Sequence, residues 1–318
     1  MAGVAAQEGE AVTAHRRLAC MVAGLLLAIM GCGSGDAEEP APSALGDDAV
    51  TVASFNFPES VVLAEIYGQA LEASGYAVRR QLDLGPRELV EPALDLGLVE
   101  LVPEYAGTAL QFLSLGEGTS YPDPVSTSEA LRTEVAGRGV TALGAAEAQN
   151  RNAIVVTEET AVRYSLEAIS DLADVAPTLT FGGPPECQTR PLCLQGLESV
   201  YGLEFREFVP LDAGGDLTRQ ALEEGHVDVA LLFATDPSIV TDARVELVDD
   251  KGLQPAENVT PLVHDEVIRR FGPALVDVVD GVSAELTTQG LRGMNAQLES
   301  GVPAPEVARR WLAKEGLS

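Results

Sequence analysis

The sequence predicts an α/β fold made of two successive units, and two patterns carry that expectation. Strand-like and helix-like segments alternate from residue 50 to 105, and the alternation restarts at residue 152 and runs to 237. Such alternation builds parallel sheets, because each strand returns through a crossover helix. A third observation is the stretch LVPEYAGTALQFL, 101–113, which sets a tyrosine at a strand tip in a chain only 5% aromatic. Ligands of open sheets bind at the carboxyl ends of strands. Tyr105 is therefore read as facing a cleft.

The elements follow in order. VTVASFNF, 50–57, alternates and is β-branched, so it reads as a strand whose carboxyl end carries SFNFPES. ESVVLAEIYGQALEAS, 59–74, has apolar residues at helical spacing, with Pro58 at its start and Gly75 just past its end. YAVRRQLDL alternates again, RELVEPALDLG reads as a short helix, and VELVPEY as a third strand that Pro103 should end. After a stretch rich in Gly and Pro come the strands NAIVVT (152–157), TLTFGG (178–183) and REFVPLD (206–212). The helix DLTRQALEEG (216–225) leads to a buried strand in VDVALLFATDP (227–237). VELVDD and a helical tail follow, and Trp311 sits on the apolar face of PEVARRWLAKEGL as a packing residue.

Composition excludes some classes. Hydrophobic content of 46% supports a packed core, and the net charge of −29 repels a polyanion, so nucleic acid is excluded as a partner. At the N-terminus, His15-Arg16-Arg17 precedes the apolar run Leu18–Met30 and then Gly31-Cys32. That run is shorter than the roughly 20 residues a membrane helix needs and has the layout of a secretory signal. Residues 1–31 read as a lipoprotein signal peptide, Cys32 as the lipidated first residue, and 32–48 as a flexible tether rich in Gly, Pro, Ser and acid. An ordinary cleavable signal is the alternative. Either way the chain is exported, to the periplasm or the cell surface. Cys187 and Cys193, around the proline-bounded turn PECQTRPLC, then read as a local disulfide. A redox or metal pair is the alternative, with neither a CxxC spacing nor a nearby histidine to favour it.

No catalytic motif appears: there is no Gly-x-Ser-x-Gly, P-loop or HExxH, and no cofactor or metal is expected. His226 with Asp228 is a conceivable metal pair but reads as a helix-end histidine in a polar turn.

SFNFPESVVLAEIYGQALEASGY, DLGPRELVEPALDLGLVELVPEYAGTAL, VYGLEF, VDVALLFATDP and LVDDKGLQPAENV together resemble the glycine betaine/choline (osmoprotectant) substrate-binding proteins of ABC transporters. The resemblance runs in order over nearly all of residues 50–315, and PEY-x-GT is its most specific part. It implies a two-lobed periplasmic binding protein fold of type II, with residues 49–149 plus 238–318 as lobe 1 and 150–237 as lobe 2. The ligand would be clamped between them. Many members hold a quaternary ammonium in a box of tyrosines by cation–π attraction. By this resemblance Tyr105 matches the first box tyrosine and Thr108 a threonine that bonds ligand carboxylate. The other three box positions fall on Asn152, Phe233 and Glu257, and the carboxylate-binding arginine fits Arg190. Asn152 and Glu257 in the cleft would suit a zwitterion whose amine keeps its hydrogens.

The function expected is a monomeric solute-binding lipoprotein, anchored to a membrane by lipid. It would catch a small quaternary-amine or zwitterionic solute by lobe closure and deliver it to the membrane subunits of an ABC permease. The alternatives are a secreted hydrolase on a two-lobed scaffold, using His226 or a free thiol, and a sensor input module.

Overall fold

The computed structural model describes residues 48–116, 121–241 and 244–318. The expected signal peptide, Cys32 and the tether up to residue 47 lie outside the described residues. The described strands are β1 Ala49–Ala53, β2 Ala77–Gln81, β3 Leu101–Tyr105, β4 Val140–Ala142, β5 Asn152–Thr157, β6 Thr180–Gly183, β7 Glu207–Pro210, β8 Val229–Phe233, β9 Arg244–Glu246 and β10 Val259–His264. They form two sheets, in the orders β2-β1-β3-β10-β4 and β7-β6-β8-β5-β9, one in each lobe.

Both sheets share one plan. Three neighbouring strands run parallel, as the alternation of strands and helices predicts. The fourth strand, β10 in one sheet and β5 in the other, runs antiparallel to both its neighbours. Each antiparallel strand is the first that the chain makes after crossing from the other lobe, through residues 143–151 and 247–258. The two crossing segments bridge each other at Gln149 and Asn258, and the Asn150 N–H donates to the Glu257 carbonyl at 3.0 Å. An antiparallel strand begins where its parallel neighbours end, so Asn152 stands opposite Phe233.

Two local expectations differ from the structure. Pro103 lies inside β3 rather than ending it, because its partner across the ladder is Pro261. Alternate pairs of an antiparallel ladder exchange no hydrogen bonds, so two opposed prolines leave no donor missing. The second sheet also runs past residue 237: β9 pairs with β5, and the Leu247 N–H donates to the Ile154 carbonyl at 2.9 Å. β9 covers an edge of β5 that would otherwise carry unpaired backbone groups.

The helix Pro58–Ala73 is the pillar of the first lobe. Proline in its first turn asks for no hydrogen bond, and Gly75, at φ 89°, lets the chain leave it. Its apolar residues are not confined to one stripe, because β-strands cover one side and the C-terminal helices the other. Leu63, Ile66, Tyr67 and Leu71 are fully buried, and Trp311 of the helix Ala304–Glu315 packs in the same core.

The glycine of PEY-x-GT is required by close approach. A Cβ on Gly107 would lie 2.3 Å from Pro255 Cγ and 2.9 Å from the Ala256 carbonyl, on the returning crossover. We expect Gly107→Ala to destabilise the fold by about 1–3 kcal/mol through overpacking, read as a lower urea midpoint at unchanged slope.

Candidate ligand-binding cleft

The carboxyl ends of the parallel strands and the start of β5 converge on one cleft between the lobes, a cavity of about 100 Å³ with its mouth open to solvent. Tyr105, Thr108, Asn152, Arg190 and Phe233 all line it, so five of the six residues expected at a site come together. Glu257 is not among the lining residues. It is 1% exposed and lies behind Thr108, whose backbone N–H donates to one carboxylate oxygen at 3.0 Å and whose hydroxyl donates to the other. Its expected place facing a ligand amine is thus taken by Thr108.

Aromatic rings gather where the sequence reading placed only Tyr105 and Phe233. Phe57, just past β1, stands 5.2 Å from Phe233 and 6.1 Å from Tyr105 between ring centroids, and Phe55 stacks on Phe57 at 6.0 Å. Phe57 belongs to the first lobe and Phe233 to the second, so the rings meet across the gap. The signal was present in SFNFPES, at the carboxyl end of a strand, but phenylalanine in a strand-like run reads as core. Asn150, Gln111 and Phe112 also line the cleft and were not anticipated.

Tyr105 is held with its hydroxyl turned inward. The OH donates to Glu59 at 2.7 Å, and burial together with Glu59 raises the phenol well above its ordinary range, so it stays protonated. The ring is left to line the cleft. Asn152 donates from its side-chain amide to the Leu192 carbonyl at 3.0 Å, which leaves its oxygen as an acceptor.

Two arginines reach the cleft. Arg87 lies with its guanidinium 4.9 Å above the Phe55 ring and is forked onto Glu104, with Nη2 at 2.8 Å from Oε2. Burial pulls its basicity down, but Glu104, Glu91 and Glu257 outweigh that and keep it charged. Arg190 sits in the turn closed by Cys187 and Cys193, which are bonded with their Cα atoms 5.2 Å apart. It reaches across the mouth to Glu88 of the first lobe at 2.9 Å, with Glu186 at 3.7 Å. His226 is exposed, with Nδ1 at 3.5 Å from Glu224, while Asp228 accepts from the Thr180 N–H at 2.8 Å, so the two do not form a site. Among the described residues no group of three or more His, Cys, Asp or Glu is placed to hold a metal ion.

The chain belongs to the family of substrate-binding domains of ABC-type glycine betaine transport systems, whose profile matches residues 48–314. The ergothioneine transport permease/ergothioneine binding protein EgtU of Helicobacter pylori is 25% identical over 277 residues, 86% of this chain and 49% of its own length. The chain thus spans about half of that relative. The glycine betaine-binding protein YehZ of Escherichia coli is 25% identical over 268 residues, covering 81% of this chain and 88% of the relative. Among solved structures, a glycine betaine/carnitine/choline ABC transporter protein superposes with a TM-score of 0.66 at 24% identity, over 84% of this chain and 99% of that one. The fold is the two-lobed periplasmic binding protein fold of type II. The homologues are solute-binding proteins of transporters, not enzymes.

Burial pushes Glu257 up from 4.5 to about 7, against the lowering effect of Thr108 and Arg87. Between those values the folded protein holds a proton that the unfolded chain releases. Stability therefore falls as pH rises through that window and is level above it, by an amount on the order of 3 kcal/mol. Glu257→Gln should flatten the fall between pH 5 and 8 in urea unfolding. An unchanged slope in the variant would show that Glu257 does not titrate there.

Proposed function

We propose that this chain is the extracytoplasmic receptor of an ABC importer, anchored by lipid on Cys32, and that it captures a quaternary-amine zwitterion of the glycine betaine type. The observation that carries this reading is the meeting of ring faces from both lobes, Phe57 and Tyr105 with Phe233, beside an arginine at the mouth of the same cleft. A methylated cation donates no hydrogen bonds and is stabilised by ring quadrupoles. A carboxylate on the same molecule is met by the guanidinium fork of Arg190. Glu257, turned away behind Thr108, supplies no counter-charge, and Glu186, the acid among the lining residues, lies beside Arg190 at 3.7 Å, which leaves the ring faces to meet the cation and favours a methylated one. The relatives named for glycine betaine and ergothioneine support a solute of this class. Binding of one molecule by both lobes favours the closed arrangement to the extent that it contacts that arrangement better. The permease then takes the solute from it.

Titration calorimetry with glycine betaine, choline, carnitine and free amino acids tests the site. We expect betaines to bind, with Tyr105→Ala and Phe57→Ala each weakening them about tenfold, near 1.4 kcal/mol. Arg190→Ala should weaken glycine betaine more than choline. Binding confined to amines with N–H groups would overturn the methylated-cation reading and return Asn152 to the centre of the site. The anchor is checked separately: labelling with radioactive palmitate should disappear in Cys32→Ser.

A further inference from the structure

Glu59, in the first turn of the helix Pro58–Ala73, is 4% exposed and accepts four hydrogen bonds. Tyr105 OH, at the end of β3, donates to Oε1 at 2.7 Å, and Asn150 Nδ2, on the outgoing crossover, donates to the same oxygen at 2.7 Å. Thr235 Oγ1, two residues past β8 of the second lobe, donates to Oε2 at 2.5 Å, and Asn295 Nδ2 of the helix Thr288–Glu299 donates to it at 2.7 Å. The ring is closed by further bonds: the Thr235 N–H donates to Asn150 Oδ1 at 3.3 Å, and Asn295 Nδ2 reaches the Thr235 carbonyl at 3.1 Å. One carboxylate therefore gathers the cleft tyrosine, a crossover and both lobes. An ionised carboxylate accepts only, through two oxygens with about four lone-pair sites, so four donors fill it. An amide in its place would point N–H groups at groups that are themselves donors.

We infer that Glu59 is a positioning residue that holds the Tyr105 ring against the cleft and couples it to the second lobe through Thr235. This rests on Tyr105 being a ligand contact, as proposed above. Ligand that orders the ring also orders the Glu59 carboxylate, and so favours the Thr235 bond that joins the lobes. The coupling makes Tyr105 more than a wall of the cleft: its hydroxyl transmits to the second lobe what its ring meets.

The test uses the full chain with Glu59→Gln, Tyr105→Phe and Thr235→Val, singly and in pairs. Glycine betaine affinity should fall about tenfold in Glu59→Gln, with the loss in the dissociation rate. Adding Thr235→Val or Tyr105→Phe to Glu59→Gln should weaken binding no further, since an amide keeps a single acceptor oxygen and cannot serve Tyr105 and Thr235 together, so the link between them is already broken. Additive losses, or affinity within twofold of the wild type in Glu59→Gln, overturn the inference. If Glu59→Gln does not fold, non-additivity between Tyr105→Phe and Thr235→Val decides. Hydrogen exchange on the ligand-free proteins separates this inference from the proposed function. Faster exchange at residues 149–151 and 234–236 in the Glu59 or Thr235 variants supports the coupling even when no betaine binds. Unchanged exchange there overturns it.

Discussion

Much of this structure depends on how the chain enters each sheet after leaving the other lobe. Both times it enters between two strands and antiparallel to them, as β5 and as β10. Because the entering strand starts at the cleft end, both crossing segments must lie side by side beneath the cleft, where Gln149 and Asn258 bridge. The consequences reach the site directly. β10 brings Glu257 and Asn258 against the end of β3, so that the Ala106 N–H finds the Asn258 carbonyl at 3.0 Å and Thr108 finds Glu257. The same approach forces glycine at position 107.

Behind the cleft wall, charge is arranged economically. Arg87, Glu104, Glu91 and Glu257 share one buried patch with a single cation among three acids. Burial and the facing Glu104 push Glu91 well above the ordinary carboxylate range. Protons rather than further cations balance the patch, since an unpaired buried carboxylate is far more costly than a protonated one. The cleft wall therefore presents ring faces with Arg87 held from behind by buried acid, while Arg190 is held at the mouth by Glu88 and by Glu186, which itself lines the cleft.

The local rules of the sequence carried much of the framework. β5 was legible to the residue, and the strand-helix rhythm gave the three parallel strands of each sheet. The tip position of Tyr105 was expected from a strand end at Pro103, yet the strand runs two residues further and ends at Tyr105 itself. What escaped was non-local. β10 carries Pro261 in its middle, which argues against a strand until Pro103 is seen opposite. Phe55 and Phe57 look like strand interior unless β1 is known to stop at Ala53. Glu59 looks like an ordinary acid in the first turn of a helix, since nothing nearby announces donors at positions 150, 235 and 295. The disulfide turn, by contrast, was legible from export and spacing alone.

Two of the contacts that join the lobes across the cleft differ in kind. The Phe57–Phe233 ring contact is apolar, whereas Arg190 and Glu88 form a partly exposed ion pair with side chains 24% and 41% accessible. Exposed pairs contribute little at rest and are screened as salt rises, with the Debye length falling from about 8 Å at physiological ionic strength to about 3 Å at 1 M. Ring contact responds in the opposite sense in salts that strengthen apolar burial. A rise in such salts thus shifts the hold between the lobes from charge to aromatic surface. It also loosens Arg190 from its resident carboxylate, leaving the guanidinium freer to exchange partners in brine than in dilute water.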